Sequence, residues 1–274
     1  MKKPTSDKLK PLLAIAIIYI LVQGIGLFIS QTGPAGTPGI VDSVKQGEIP
    51  PIVQNPQDIF SSVQILAYVL VSTAVLLILI KYHLQKIIPI LVYFSLLGGM
   101  FITLTGLVGD VGVILTLLLF ILAIWKRNNM FITDVTLIFA IPGIGSWLGA
   151  SLAFIPSLVL LIGLAIYDLI AVFGTKHMVT IAEEAKGKIP LMVGVPAGER
   201  MLGLGTGDLA IPLTFTVSVL RDTTLAHAII TSIGGLIGLI ILFAYILNKK
   251  DIVLPALPPL AAGLIIGYAI GMII

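Results

Sequence analysis

Residues 201–220 read MLGLGTGDLAIPLTFTVSVL, an apolar stretch long enough to cross a membrane that contains a single acid, Asp208. A second stretch of this kind, at 153–174, contains Asp168. A carboxylate in hydrocarbon costs at least about 2.5–3.5 kcal/mol on insertion scales, so acids within membrane spans are rare and mark functional positions. The two aspartates are therefore the first candidates for a functional site.

The composition indicates a polytopic membrane protein. Hydrophobic residues make up 58% of the 274 residues and charged residues 11%, and the mean hydropathy is +1.13. This apolar share is too high for a chain that must cover a water-facing surface. The absence of cysteine excludes disulfides, iron–sulfur clusters and thiol chemistry, and we expect no cofactor and no metal. The net charge of +3 belongs to the loops and predicts no nucleic-acid partner.

Long apolar runs predict an all-α membrane protein with nine transmembrane helices. A span needs about 20 apolar residues to cross roughly 30 Å of hydrocarbon. The runs form a single polytopic membrane domain over 1–274, and we expect the first of them to be retained rather than cleaved. The predicted spans are 11–30, 61–80, 87–106, 108–125, 131–149, 153–174, 201–220, 225–247 and 252–273.

The basic residues predict the orientation of these spans. Lys and Arg are retained on the cytoplasmic side of a membrane. With the N-terminus cytoplasmic and the C-terminus outside, all Lys and Arg residues except Lys45 and Arg221 fall on the inner side. The protein is then an integral, multi-pass protein, and we expect it in the cell membrane.

Two predicted loops are longer than a turn. Residues 31–60 fall outside, and their Gly, Pro, Gln and Asp content predicts an irregular or partly disordered connection. Residues 175–200 lie inside, between the two aspartate spans, and include an apolar, β-compatible run at 189–196. That run is either a loop on the membrane surface or a strand or lid at a substrate entrance.

The two aspartates are predicted to lie at similar depth on consecutive antiparallel helices. Asp168 is about six residues, or roughly 9 Å, from the inner end of the sixth span, and Asp208 is about seven residues, or roughly 10 Å, from the inner end of the seventh. Two close carboxylates in a low dielectric cannot both be ionised, so the pair shares one proton. Such a pair can activate water for peptide hydrolysis, bind a proton or cation in a transporter, or simply join two helices. The pair alone favours the ion site.

The neighbouring residues favour hydrolysis. Gly203 and Gly207 are expected to form a helix-packing face, while Gly205 adds backbone freedom where the helix begins. The ninth span carries Leu254-Pro255-Ala256-Leu257-Pro258-Pro259, in which prolines leave carbonyls without helical partners. Exposed backbone acceptors of this kind suit an extended peptide substrate.

Three short motifs occur in order on the sixth, seventh and ninth spans: Tyr167-Asp168, Gly205-Thr206-Gly207-Asp208 and Pro255-Ala256-Leu257. With the nine-span topology they resemble the YD, GxGD and PAL motifs of the presenilin and signal peptide peptidase family of intramembrane aspartyl proteases. One departure is Thr206, where the family commonly has Leu.

The resemblance implies a role for each motif. Asp168 and Asp208 are the catalytic dyad, and Tyr167, Gly205, Thr206 and Gly207 shape its helices. Pro255, Ala256 and Leu257 form the active-site wall and the substrate site. The implied substrates are transmembrane peptides or proteins in the lipid bilayer, and the small chain is similar to stand-alone microbial homologues. A homo-oligomer and self-cleavage of the 175–200 loop are left open.

Two other functions remain as alternatives. Prepilin and preflagellin peptidases also use a GxGD aspartate, but their pattern gives no role to Pro255-Ala256-Leu257. A proton- or cation-coupled transporter would use the same pair of aspartates. The histidines lack the HExxH spacing of zinc proteases. Asp110 and Asp134 lie at predicted membrane boundaries, where an acid can reach water, and receive no catalytic role.

Overall fold

The computed structural model describes residues 6–82, 87–175, 192–197, 200–249 and 254–273. These residues are mostly helical. A short 3₁₀ turn at Pro34–Gly36 follows the first helix, and a π-helical segment, Ile170–Thr175, follows the seventh. The α-helices are α1 (Ser6–Gln31), α2 (Ile40–Lys45), α3 (Ile59–Lys81), α4 (Ile87–Val108), α5 (Val111–Trp125), α6 (Met130–Ala150), α7 (Phe154–Leu169), α8 (Thr206–Asp222), α9 (Leu225–Asn248) and α10 (Leu257–Gly271).

Five helices of the described chain are long and apolar enough to cross a membrane. Shorter apolar helices accompany them, at Ile59–Val75, Val111–Trp125 and Leu257–Gly271. Large hydrophobic side chains on their outer faces are exposed, as expected for helices whose solvent is lipid. The five spans are Leu9–Gln31, Ile87–Val108, Met130–Ala150, Phe154–Phe173 and Leu225–Asn248.

Helix α8 lies at the centre of the bundle. It packs against α1, α6, α7, α9 and α10, and its residues from Pro212 to Val219 are buried. The hydroxyl of Thr216 donates to the side-chain oxygen of Gln23 on α1, at 2.8 Å. Polar side chains on this helix thus find partners inside the protein, which lipid could not provide. The central helix α8 carries Asp208 in its first turn.

The all-α prediction is wrong in one region, where the chain forms a β-hairpin. Strands β1 (Met192–Ala197) and β2 (Arg200–Gly205) pair antiparallel, with Gly194 opposite Gly203. The strand interpretation of the 189–196 run is correct for 192–196, while 189–191 lie outside the described residues. Alternation of apolar residues with a period of two explains the strands, since Val193, Val195 and Leu204 are buried.

The predicted seventh and ninth spans both begin later than expected. Residues 201–205 belong to β2, so the helix begins at Thr206 rather than at 201. Glycines at alternate positions disfavour helix and allow extended backbone, which explains the later start. The ninth span begins at Leu257 rather than at 252, because Leu254 to Ala256 are not helical.

The loop at 31–60, which is predicted to lie outside, is more ordered than its composition predicts. Helix α2 forms within it, and Ile40 and Val41 are buried against the bundle. The Nζ atom of Lys45 donates to the backbone oxygen of Arg221, at 2.6 Å. This contact attaches α2 to the end of α8 and joins the two basic residues that the charge pattern separates from all the others.

Candidate active site

Asp168 lies one residue before the end of α7 and is half-buried. Its Oδ2 atom accepts a hydrogen bond from the backbone N–H of Leu257, at 3.1 Å. The backbone N–H of Ala256 also interacts with this carboxylate. Asp168 is therefore oriented by the beginning of α10, which lies 89 positions away in the sequence.

The proline-rich segment explains why backbone donors face Asp168. The first N–H groups of a helix have no intrahelical partner, and proline is tolerated in the first turn because it needs none. Pro258 and Pro259 follow the first residue of α10, and Leu257 supplies a free N–H group there. Pro255 and Leu257 are buried, and Ala256 is half-buried. The predicted wall is thus a donor to Asp168 in this structure.

Asp208 is the third residue of α8. Its Oδ2 atom accepts a hydrogen bond from the backbone N–H of Gly205, the N-cap residue, at 3.2 Å. A carboxylate at the third position that accepts from the N-cap N–H is one half of a capping box. The local geometry at the strand-to-helix junction therefore holds Asp208.

The structure brings the two aspartates together, close enough for their charges to interact. The predicted depth of Asp208, seven residues inside its helix, is wrong because α8 begins at Thr206. Asp208 lies in the first turn of α8, whereas Asp168 lies where α7 passes into the π-helical segment. Each carboxylate accepts a hydrogen bond from a backbone N–H group of a different segment.

The glycines before Asp208 have different surroundings. A methyl group on Gly205 would lie 2.9 Å from the Oδ2 atom of Asp208. A methyl group on Gly207 would meet nothing within 4 Å, and Gly207 is exposed. The predicted helix-packing face of Gly203 and Gly207 is therefore wrong, since one lies in β2 and the other faces open space. Gly205 instead leaves room for the carboxylate.

The remaining predicted residues line the same region. Tyr167 precedes Asp168 on α7 and is half-buried, and its backbone oxygen accepts from the N–H of Ile170. Thr206 is the first residue of α8 and is also half-buried.

Strand β2 presents a backbone edge beside Asp208. In an antiparallel pair, successive residues direct their N–H and C=O groups alternately toward and away from the partner strand. Gly205 directs its N–H to Asp208. Gly203 is two residues earlier in the same strand, so its N–H points to the same edge. The N–H of Gly203 therefore points to the edge of β2 on which Asp208 lies, and Gly203 is exposed.

Asp134 is a feature of this region that the sequence interpretation missed. Its Oδ1 atom accepts a hydrogen bond from the backbone N–H of Gly194 in β1, at 3.1 Å. The only sequence signal was an acid inside the apolar segment 131–149, and it was explained by the membrane boundary. Among the described residues, no group of three His, Cys, Asp or Glu side chains could hold a metal ion.

Residues 40–274 match the family model described as signal-peptide peptidase, presenilin aspartyl protease. The chain belongs to this family. It is also similar to two solved structures, each described as a presenilin family intramembrane aspartate protease. One, in a C222 crystal, is 24% identical with a TM-score of 0.68, and the match covers 96% of this chain and 99% of that one. The other, in a P2 crystal, is 25% identical with a TM-score of 0.66 and coverage of 96% and 98%.

No curated protein matches the sequence. Membership of the presenilin family confirms the resemblance that the three motifs indicate, and it favours that family over the prepilin and preflagellin peptidases. The family and its solved members are aspartyl proteases of the membrane. Asp168 and Asp208 are therefore the candidates for aspartyl protease chemistry in this chain.

Proposed function

We propose that this protein is an intramembrane aspartyl protease that hydrolyses peptide bonds within transmembrane segments, with Asp168 and Asp208 as its catalytic dyad. One observation carries the proposal: two carboxylates lie within electrostatic range, and each is oriented by a backbone N–H group. Membership of the presenilin family supports it. A pair of side chains that only joined two helices, by an ion pair or a hydrogen bond, would not need to be two carboxylic acids.

The proposed reaction uses the shared proton of the pair. One carboxylate is ionised and takes a proton from water, while the other is protonated and donates a hydrogen bond to the scissile carbonyl. The water oxygen bonds to the carbonyl carbon and forms a tetrahedral intermediate. Proton transfer to the amide nitrogen then breaks the C–N bond, and the dyad again shares one proton. No covalent enzyme intermediate forms.

The edge of β2 offers a place for the substrate. A helical substrate has no free backbone groups, so the segment to be cut must be extended before water can reach its carbonyl. Main-chain pairing with an exposed strand edge holds an extended peptide without selecting its sequence. Gly203 lies on the edge that faces Asp208, and it is exposed. We therefore assign the substrate strand to this edge.

The other motif residues shape the site in this proposal. Tyr167 and Thr206 border the two acids on α7 and α8, and Gly205 leaves room for Asp208. Pro255, Ala256 and Leu257 form the wall from which backbone donors reach Asp168.

The proposal includes the topology on which water access depends. We propose nine transmembrane helices in a single polytopic membrane domain over 1–274, with the N-terminus cytoplasmic and the C-terminus outside. Lys and Arg distribution supports this orientation in the cell membrane. The contact between Lys45 and Arg221, the two outer basic residues, is consistent with it. The hairpin and both acids are then near the cytoplasmic face.

The dyad is tested with purified protein and a single-span test peptide in detergent. Wild-type protein is expected to cut the peptide, and Asp168→Ala and Asp208→Ala are each expected to lower cleavage by at least about 10³-fold, since neither carboxylate can replace both roles. Asp168→Asn keeps an oxygen that can accept the N–H of Leu257, so its inactivity would separate catalysis from folding. Product masses identify the cut bond.

The transporter alternative is tested on the same preparations. Proteoliposomes with a pH-sensitive dye inside report any proton movement driven by a pH gradient. The proposal expects peptide cleavage that depends on both acids and no proton movement above that of empty vesicles. Full cleavage by either alanine variant, or proton transport without cleavage that Asp168→Asn abolishes, would exclude the proposed mechanism.

A further inference from the structure

Asp134 is an acid in the second turn of α6 whose carboxylate contacts the β-hairpin rather than water alone. It is half-buried, and its Oδ1 atom accepts the backbone N–H of Gly194, at 3.1 Å. By the alternation of an antiparallel pair, this N–H points away from β2, so Asp134 occupies the outer edge of β1. A carboxylate that accepts a backbone N–H forms one of the stronger hydrogen bonds in proteins.

Strand β1 packs against two helices of the bundle. It contacts α1 and α6, and the side chains of Val193 and Val195 are buried. Strand β2 contacts α8, into which it continues directly. The position of β2 therefore depends on α8 at one end and on β1 along its length, and β1 is held by apolar packing and by Asp134. Apolar packing is not directional, whereas the hydrogen bond fixes how far β1 can slide along α6.

A short series of contacts connects Asp134 to Asp208. Asp134 holds Gly194, which lies opposite Gly203 in the hairpin. Two residues further along β2, the N–H of Gly205 donates to Asp208. The two acids thus bind the two outer edges of one small sheet, Asp134 on β1 and Asp208 at the end of β2.

We infer that Asp134 is a positioning residue of the catalytic site, which acts through the hairpin on Asp208. The inference rests on the proposed function of Asp208. Misplacement of a catalytic group by about 1 Å can lower a rate by about 100-fold, so a hairpin that shifts by this distance matters for the rate. Asp134 needs no contact with substrate for this role.

The role requires a hydrogen-bond acceptor and not a negative charge, which makes it testable by substitution. Asp134→Asn keeps a side-chain oxygen that can accept the N–H of Gly194, whereas Asp134→Ala removes the acceptor. Asp110→Ala is the matched control, since Asp110 is an exposed acid at the start of α5 and makes no side-chain cap bond there. All three variants and wild type are purified in the same detergent.

Two measurements decide the inference. Steady-state cleavage of a single-span peptide gives kcat and KM, and hydrogen–deuterium exchange of β1 and β2 reports how firmly the hairpin is held. We expect Asp134→Ala to lower kcat by about tenfold or more, with KM changed less than about threefold, because the dyad is misplaced rather than the substrate rejected. Its hairpin amides should exchange faster, while Asp134→Asn and Asp110→Ala behave like wild type.

Several outcomes would overturn the inference. Unchanged hairpin exchange in Asp134→Ala would mean that Asp134 does not hold β1. Equal loss of kcat in Asp134→Asn and Asp134→Ala, with normal exchange in the former, would assign Asp134 a role through its charge. A rise in KM alone would place the loss in substrate binding. If wild-type protein cut no peptide, the proposed function would fail, while the exchange data would still decide whether Asp134 holds the hairpin.

Discussion

Gly205 leaves the space that the carboxylate of Asp208 occupies. A methyl group at this position would lie 2.9 Å from Oδ2 of Asp208, and the carboxylate can turn aside more easily than the backbone can move. We predict that Gly205→Ala lowers cleavage by about 100-fold through this displacement. The melting temperature in detergent should change little, because the clash is with the end of a side chain. Cleavage kinetics and thermal unfolding check both parts.

Gly207→Ala is the matched control for this prediction. It adds the same methyl group one residue before Asp208, but into open space and within the first turn of α8. Cleavage by Gly207→Ala should therefore exceed that of Gly205→Ala by at least about tenfold. Equal loss of cleavage in both variants would show that any side chain in the motif is harmful. The contact between residue 205 and Asp208 would then not explain the loss.

The sequence identifies the residues of the site better than it identifies their contacts. Acids in apolar segments and glycines or prolines beside them are visible in the sequence, so Asp168, Asp208 and Pro255 can be selected without a structure. The donors cannot be selected, because the N–H of Leu257 and the carboxylate of Asp134 acquire their roles from partners far along the chain. Backbone donors have no signature in the residue type.

At the scale of the elements, close packing of α9 and α10 supports the site. A methyl group on Gly263 would lie 2.2 Å from the backbone oxygen of Gly234, so the two helices touch through their backbones. We predict that Gly263→Ala destabilises the protein by roughly 1–3 kcal/mol, as overpacking does. It should also lower cleavage, since α10 carries the donor to Asp168. Thermal unfolding in detergent measures the first effect.

Gly98→Ala in α4 separates this packing effect from a general effect of alanine. A methyl group there meets nothing within 4 Å, and alanine favours helix over glycine by about 1 kcal/mol. The melting temperature of Gly98→Ala should therefore equal or exceed that of wild type. A similar decrease in both variants would contradict the close contact between α9 and α10.

Helices were easier to predict than the hairpin for a physical reason. A span of about 20 apolar residues is required by the thickness of the bilayer, so α1, α4 and α6 begin and end within a few residues of the predicted bounds. No such length requirement applies to the hairpin. Residues 201–205 are as apolar as a span, and only their period of two, with glycine at alternate positions, distinguishes a strand from a helix.

At the scale of the whole molecule, the proposed orientation can be tested by labelling. The natural sequence has no cysteine, so one introduced cysteine is a specific probe. Glu48 is exposed in the outer loop, and Arg127 is exposed after α5 on the predicted inner side. We predict that Glu48→Cys reacts with a membrane-impermeant maleimide added to intact cells, whereas Arg127→Cys reacts only after the membrane is opened. The reverse pattern would invert the topology.

During synthesis, Asp168 and Asp208 acquire their hydrogen-bond donors at different times. Asp208 takes its hydrogen bond from Gly205, three residues earlier, and has it as soon as the hairpin and α8 form. Asp168 takes its hydrogen bond from Leu257, which is synthesised 89 residues later and becomes available only after α10 has inserted. A nascent chain that has inserted α7 and α8 therefore carries both acids without a complete site. The proposed dyad is therefore expected to become active only after α10 has inserted, because α10 supplies the donor to Asp168.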